Sequence, residues 1–139
     1  MTPRELAHRE AMRLPLATIA ERLQDILGQQ ITAYAVELRD PRAIGKYARG
    51  EIKTPRTETG KRLRQLYVVT QVLMTRETAE TVRAWMVGAH PLLEDRAPAE
   101  LLHQEKYPPV ERTASAEAPD TRSGYQSVID AAEAFVGSR

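Results

Sequence analysis

Residues 28–50 read GQQITAYAVELRDPRAIGKYARG, and this stretch decides the fold. Gly28 stops one helical segment. A second begins near Gln30 or Thr32 and sets Ile31, Ala35 and Leu38 on one face at helical spacing. Arg39-Asp40-Pro41-Arg42 interrupts it. Asp40 can accept a hydrogen bond from an exposed amide at a helix start. Pro41 suits a first helical position, where its missing N–H would go unpaired anyway. The third segment, Pro41 to Arg49, ends at Gly50, which takes a left-handed cap cheaply. Two short helices joined by a tight turn, the second rich in Arg and Lys and followed by a basic loop, form the pattern of a helix-turn-helix.

Upstream, Leu16, Ile19, Ala20, Leu23, Ile26 and Leu27 recur at helical spacing before Gly28. Downstream, Glu51 to Pro55 reads as a loop. A fourth helix follows over Thr57 to Met74, with Leu63, Leu66, Tyr67 and Leu73 inward. Thr75 is the expected cap of a fifth, which carries Ala79, Val82, Trp85 and Met86 and stops at Gly88. His90-Pro91 forces a turn, because the residue before proline avoids the helical region. Leu92, Leu93, Leu101 and Leu102 lie around a short helix starting near Pro98. Residues 106–123 hold Pro108, Pro109 and Pro119 among small and charged residues and read as a mobile linker. Ser123 and Gln126 have capping-box spacing ahead of a last helix, whose apolar stripe is Tyr125, Val128, Ile129, Ala132, Phe135 and Val136. No alternating strand pattern and no internal repeat is present. The reading is an all-α chain: a helix-turn-helix N-terminal bundle over 1–74, a small helical partner-binding module over 75–105, the linker 106–123 and a tail helix over 124–139.

Composition agrees with that class. The chain has 139 residues, 42% of them hydrophobic, with one Trp and one Phe, so the core must be built from Leu, Ile, Val and Ala. With no Cys there is neither a disulfide nor a thiolate metal site. No apolar run is long enough to cross a bilayer, and Met1 to Arg13 lacks the apolar stretch of a signal peptide, so a cytoplasmic protein is expected. The net charge of +1 conceals a gradient. Arg39 to Arg64 holds nine basic residues against three acids, whereas Glu94 to Arg139 holds nine acids against five bases. A local positive field is what attracts phosphates.

The candidate DNA-contacting residues are Arg39, Arg42, Lys46, Tyr47, Arg49, Lys53 and Arg56. Ile44 and Ala48 would hold the third helix to the core while Arg42, Lys46 and Arg49 project from its other side. Arg can bridge two acceptors on a guanine edge, and Lys and Arg neutralise phosphates. Lys53 and Arg56 would grip the backbone beside the helix. Tyr47 is either a core residue or a contact to a sugar or a thymine methyl. The plain alternative for the whole run is a solvated basic face.

The segment Leu63 to Leu102, LRQLYVVTQVLMTRETAETVRAWMVGAHPLLEDRAPAELL, resembles the Xre/MbcA/ParS-type antitoxins. The matching pieces are Trp85-Met86, His90-Pro91-Leu92-Leu93, the run Arg96 to Leu102, and a Gly-led final helix from Gly124. Upstream, Lys46-Tyr47-Ala48-Arg49-Gly50-Glu51 is similar to the end of that family's recognition helix, with Tyr47 in the aromatic place. His90 stands where the family has Asn, and Ala97 where it has a capping Thr or Ser. The resemblance implies a type II antitoxin, and a dimer is expected because one short recognition helix reads too few base pairs. Such a protein represses its own operon at a palindromic, double-stranded operator and closes the active site of a RES-domain, NAD-degrading toxin. Trp85 and the leucines would shape the toxin-facing surface, with Trp85 read first as plain core. Tyr125, Val128, Ile129, Phe135, Val136 and Arg139 would make partner contacts. By itself the tail stripe leaves three destinations open: its own domain, a second copy, or a partner, since a short isolated helix is marginal in water.

No catalytic residue, cofactor or metal site is expected. His8, His90 and His103 lack ligand spacing, no glycine-rich phosphate loop follows a strand, and no serine has a neighbouring base. Alternatives to the antitoxin are a phage or prophage helix-turn-helix repressor without a toxin, and a protein-interaction adaptor whose basic segment serves solubility.

Overall fold

The computed structural model describes residues 1–104 and 123–137. Among them are eight α-helices: α1 Pro3–Arg13, α2 Leu16–Leu27, α3 Gln29–Ala35, α4 Arg42–Ala48, α5 Thr57–Met74, α6 Ala79–Val87, α7 Pro98–Gln104 and α8 Gly124–Gly137, with a 3-10 turn at Pro91–Leu93. None is long and apolar enough to cross a membrane. Most of the linker 106–123 and all of Arg139 lie outside the described residues.

The helix signals explain most boundaries. Gly28 (φ 86°) and Gly50 (φ 70°) occupy backbone conformations that L side chains resist, and end α2 and the α4 turn. Ser123 Oγ accepts the Gln126 amide at 3.1 Å and opens α8. Thr75 does not cap α6. It closes α5, its hydroxyl donating to the Val72 carbonyl at 2.6 Å, and Thr78 accepts the Thr81 amide instead. The reason is local: the end of α5 needs its own closing turn before the chain reverses.

The helix α1 has no counterpart in the apolar pattern. Its inward face is built from Ala7 and Ala11, four residues apart, so the stripe is too small to register beside Arg4, Arg9 and Arg13. The start signals are nevertheless present. Thr2 Oγ accepts the Glu5 amide at 3.1 Å, Pro3 opens the helix and Glu5 lies in its first turn.

One hydrophobic core runs through the described residues. It joins Ile19, Leu23 and Ile44 of the N-terminal helices to Leu63, Leu66, Val69 and Leu73 of α5, and onward to Val82, Trp85, Leu102, Val128 and Ile129. The expected boundary at 74/75 therefore does not divide the core. Helix α5 is the central rod, with α1, α2 and α8 packed along it; α2 also lies against α4, and α7 bridges α3 and α8.

Three arginines brace this bundle by donating to carbonyls that helix ends leave unpaired. Arg64 donates to the carbonyls of Ala11 and Leu14, the latter at 2.8 Å, and fastens the end of α1 to α5. Arg62, with its side chain only 10% exposed, donates to Leu102 at 3.1 Å and pairs with Glu37 at 3.5 Å. Arg83 donates to Ile26 at 2.9 Å, joining α6 to α2. Arg64→Met keeps the alkyl stem and removes the donors. It is expected to lower stability by about 1.5–3 kcal/mol, the range for hydrogen bonds to charged groups, as measured by urea unfolding. An unchanged midpoint would show the brace to be idle.

A polar cluster sits where α1, α2 and α5 meet. Tyr67 donates its hydroxyl hydrogen to Glu10, and Arg22 donates to the same hydroxyl at 2.7 Å while pairing with Glu10 at 3.1 Å. Burial, then the Glu10 carboxylate, push the Tyr67 phenol above its ordinary range, so it stays protonated and keeps donating.

Candidate nucleic-acid interface

Helix α4 has two faces. Ile44 (0% exposed) and Tyr47 (8%) point into the core, and Gly45 is also buried. Arg42, Lys46 and Arg49 are exposed and stand at positions i, i+4 and i+7, which a helix stacks on one side. They border a single notch of about 400 Å³ together with Gln29 and Asp40.

The turn that aims α4 is tight. Glu37 adopts a left-handed conformation (φ 62°), and the Leu38 amide reaches back to the Ala33 carbonyl at 2.8 Å. A glycine would take this position at lower cost, so the Glu37–Arg62 pair has a structural use: it fastens the strained residue to α5. Asp40 then starts α4, its carboxylate accepting the Arg42 amide at 2.9 Å. Gly45 lets α4 approach the start of α3. A Cβ there would lie 2.9 Å from Gln29 Nε2 and 3.1 Å from Arg49 Nη1.

Two of the three α4 cations meet an acid. Arg42 pairs with Asp40 at 3.1 Å, and Arg49 pairs with Glu51. Both pairs are open to solvent: the side chains of Arg42 and Asp40 are 84% and 49% exposed, those of Arg49 and Glu51 62% and 52%. Exposed pairs are weak and screened, so either guanidinium can turn to a phosphate at little cost. The Arg42 side chain and amide hold the Asp40 carboxyl below the usual carboxylate range, and Asp40 in turn raises the Arg42 guanidinium. The depressed Asp40 pKa means that the pair is intact at neutral pH and is lost only on acidification below the ordinary range for Asp. Asp40→Asn keeps a helix-start acceptor and removes the negative charge beside Arg42. If α4 binds DNA, this variant is expected to bind it several-fold more tightly, with the largest gain at low salt. Weaker binding in a titration would show that the Asp40 charge itself aims Arg42.

The remaining candidates are dispersed around this notch. Arg39 is exposed in the turn before α4, and Lys53 in the loop after it. Arg56 precedes α5 and borders a different groove. Tyr47 is a correction: it belongs to the core. It follows Ile44 by three positions, so the helix turns both side chains inward, which removes the ring from any groove-facing surface. Gln29 was not anticipated. It opens α3, donates to Gln24 at 2.8 Å, and lies beside Arg42, Lys46 and Arg49. Its position directly after Gly28 was the available signal.

The tail residues are a second correction. Val128 and Ile129 are fully buried in the chain's own core, and Tyr125, Phe135 and Val136 pack against that core. The Phe135 ring lies 6.1 Å from that of Trp85. Burial also raises the Tyr125 phenol. At the polar edge, Arg4 reaches Asp130 at 3.1 Å and Glu133 at 2.9 Å. The stripe closes on α5, which takes Val128 and Ile129 out of any partner surface, while Tyr125, Phe135 and Val136 stay half-buried at its edge. Arg139 lies outside the described residues. Among the described residues no group of three or more His, Asp or Glu side chains could hold a metal ion.

No protein-family model matches the chain, and no curated protein or solved structure matches it either.

Proposed function

We propose that this chain is a helix-turn-helix regulator that lays α4 in the major groove of duplex DNA. The observation that carries the reading is the division of α4: one face is spent on Ile44 and Tyr47, while the other presents Arg42, Lys46 and Arg49 to solvent. A seven-residue helix has room for little besides its anchor and its contact surface. Here everything that is not anchor is cationic or small. Lys53 and Arg39 extend the positive surface on either side, and Gln29 supplies an amide beside it. Two copies on a palindrome would supply the base pairs that one short helix cannot read. The test is an affinity titration on DNA from upstream of the protein's own reading frame, repeated over a salt series. Specific binding whose logarithm falls steeply with the logarithm of salt is expected. Affinity that is flat with salt would return the basic run to a solubility role.

A second reading adds a protein partner, as the antitoxin resemblance implies. It is favoured by apolar surface on the C-terminal module: Leu92 is 70% exposed and Val87 58%, and Val87 shares a recess of about 320 Å³ with Tyr34, Ile31 and Ala97. This surface would take the role that the buried Val128 and Ile129 cannot. Co-expression with a toxic protein encoded next to this chain, followed by purification, tests it. Leu92→Asp is expected to break such a complex.

A further inference from the structure

A groove of about 570 Å³ lies between α1 and α5, bounded by the start of α2 and by Tyr125 of α8. Its volume is within the roughly 300–1,000 Å³ typical of small-molecule sites. Ala11, Leu16 and Val68 make much of its wall apolar. Gly60 opens the middle: among the described residues a Cβ there would meet only Leu16 Cδ2, at 3.7 Å, an ordinary contact. The polar residues along it are one-sided in charge. Among the described residues Arg56, Lys61, Arg64 and His8 border the groove, and no Asp or Glu does. Arg64 is held in place by the carbonyls of Ala11 and Leu14, which fixes one positive charge at the edge of an apolar channel.

We propose that this groove binds a single-chain amphiphile with an anionic head. The apolar chain would lie over Leu16, Gly60 and Val68, and the head would sit toward Arg56 and Lys61. An apolar slot that the described residues border with several cations and no acid disfavours a neutral or cationic guest and complements this one. The site is also placed to act on DNA binding, a consequence that rests on the regulator reading. Arg56 stands at the start of α5, after the basic loop that follows α4, and a head group that holds it removes one positive charge from that segment. Leu16, a groove wall, belongs to α2, which packs on α4.

The experiment is calorimetric titration of the full chain, without DNA, with sodium decanoate below its micellar concentration and with decan-1-ol. Saturable binding at one site per chain is expected for decanoate, with the alcohol weaker by about fivefold or more, the scale of one partly exposed charge contact. Gly60→Leu fills the slot from a helical position and is expected to abolish binding with the far-ultraviolet circular dichroism unchanged. Arg56→Gln, in an exposed loop, is expected to weaken binding and reduce its salt dependence, and it remains informative should Gly60→Leu fail to fold. Unsaturable uptake, equal affinity for the alcohol, or full binding by Gly60→Leu would overturn the proposal. So would an affinity for decanoate that falls as protein concentration rises, which would give the groove to a second copy. In a DNA titration, decanoate is expected to weaken the wild-type complex and leave that of Gly60→Leu unaffected. A chain that binds decanoate but never DNA would overturn the regulator reading and leave the groove assignment standing.

Discussion

Replacing Arg42, Lys46 and Arg49 together by Ala is expected to weaken specific DNA binding by at least about a hundredfold. Removing a side chain from a base edge costs about 1–3 kcal/mol, and removing one from a phosphate reduces the slope of log affinity against log salt by roughly 0.9. Three such truncations near the lower figure already compound to about two decades. The slope separates two ways of obtaining that result. If all three side chains serve only phosphates, the slope falls by nearly three and affinity for unrelated DNA falls in parallel. If Arg42 or Lys46 reads a base, discrimination between operator and unrelated DNA collapses while the slope changes less. Stability should hardly change, because all three side chains are exposed and the two ion pairs removed are solvent-screened. The control is Arg9→Ala with Arg13→Ala on α1, which packs on α5: two positive charges, against three, are removed away from α4, and only a small, non-specific weakening is expected. Weakening in proportion to the charges removed, three against two, would mean that net charge, not α4, governs the affinity.

The same cations show what the sequence could and could not convey. The two short helices α3 and α4 and the turn between them were legible because their punctuation is chemical. Gly28, Asp40 and Gly50 each do in the structure what their side chains, or lack of one, allow: two stops at positive φ and a carboxylate on an amide. The all-helical class was legible from apolar spacing for the same reason. A count of charges, by contrast, does not say where a charge is spent. Of the nine basic residues from Arg39 to Arg64, Arg62 and Arg64 are consumed by the helix-end carbonyls of Leu102, Ala11 and Leu14, partners 40 to 53 positions away. No local pattern encodes such a pairing. Nor does Tyr47 reveal its side in isolation: its ring suits a groove contact as well as a core edge, and the fold leaves it 8% exposed. The α1 helix was missed because alanine carries little hydrophobic signal, yet two alanines are what permit it to lie close against α5.

The tail helix gives the other large effect. Ile129→Ala is expected to destabilise the whole protein by about 2–5 kcal/mol, which for a chain of 139 residues lowers the thermal midpoint on the order of 10 °C. Ile129 is fully buried on α8, which packs against α5 and α7, and its truncation leaves a cavity that the surrounding helices cannot readily fill. The stripe alone permitted a different outcome: a tail held in reserve for a toxin would tolerate Ile129→Ala with no change in melting and would lose only a complex. The competing forces favour the intramolecular site. An isolated 14-residue helix is marginal in water, whereas docking removes Val128, Ile129, Ala131 and Ala132 from solvent and adds the ion pairs of Arg4 with Asp130 and Glu133. Arg4→Ala is a graded companion. Its ion pairs are about one-third exposed, so a destabilisation of no more than about 1 kcal/mol is expected, well below that of Ile129→Ala. The order of the two variants therefore reports what holds α8: a larger effect for Arg4→Ala would mean that the polar edge, rather than the buried stripe, fastens the helix.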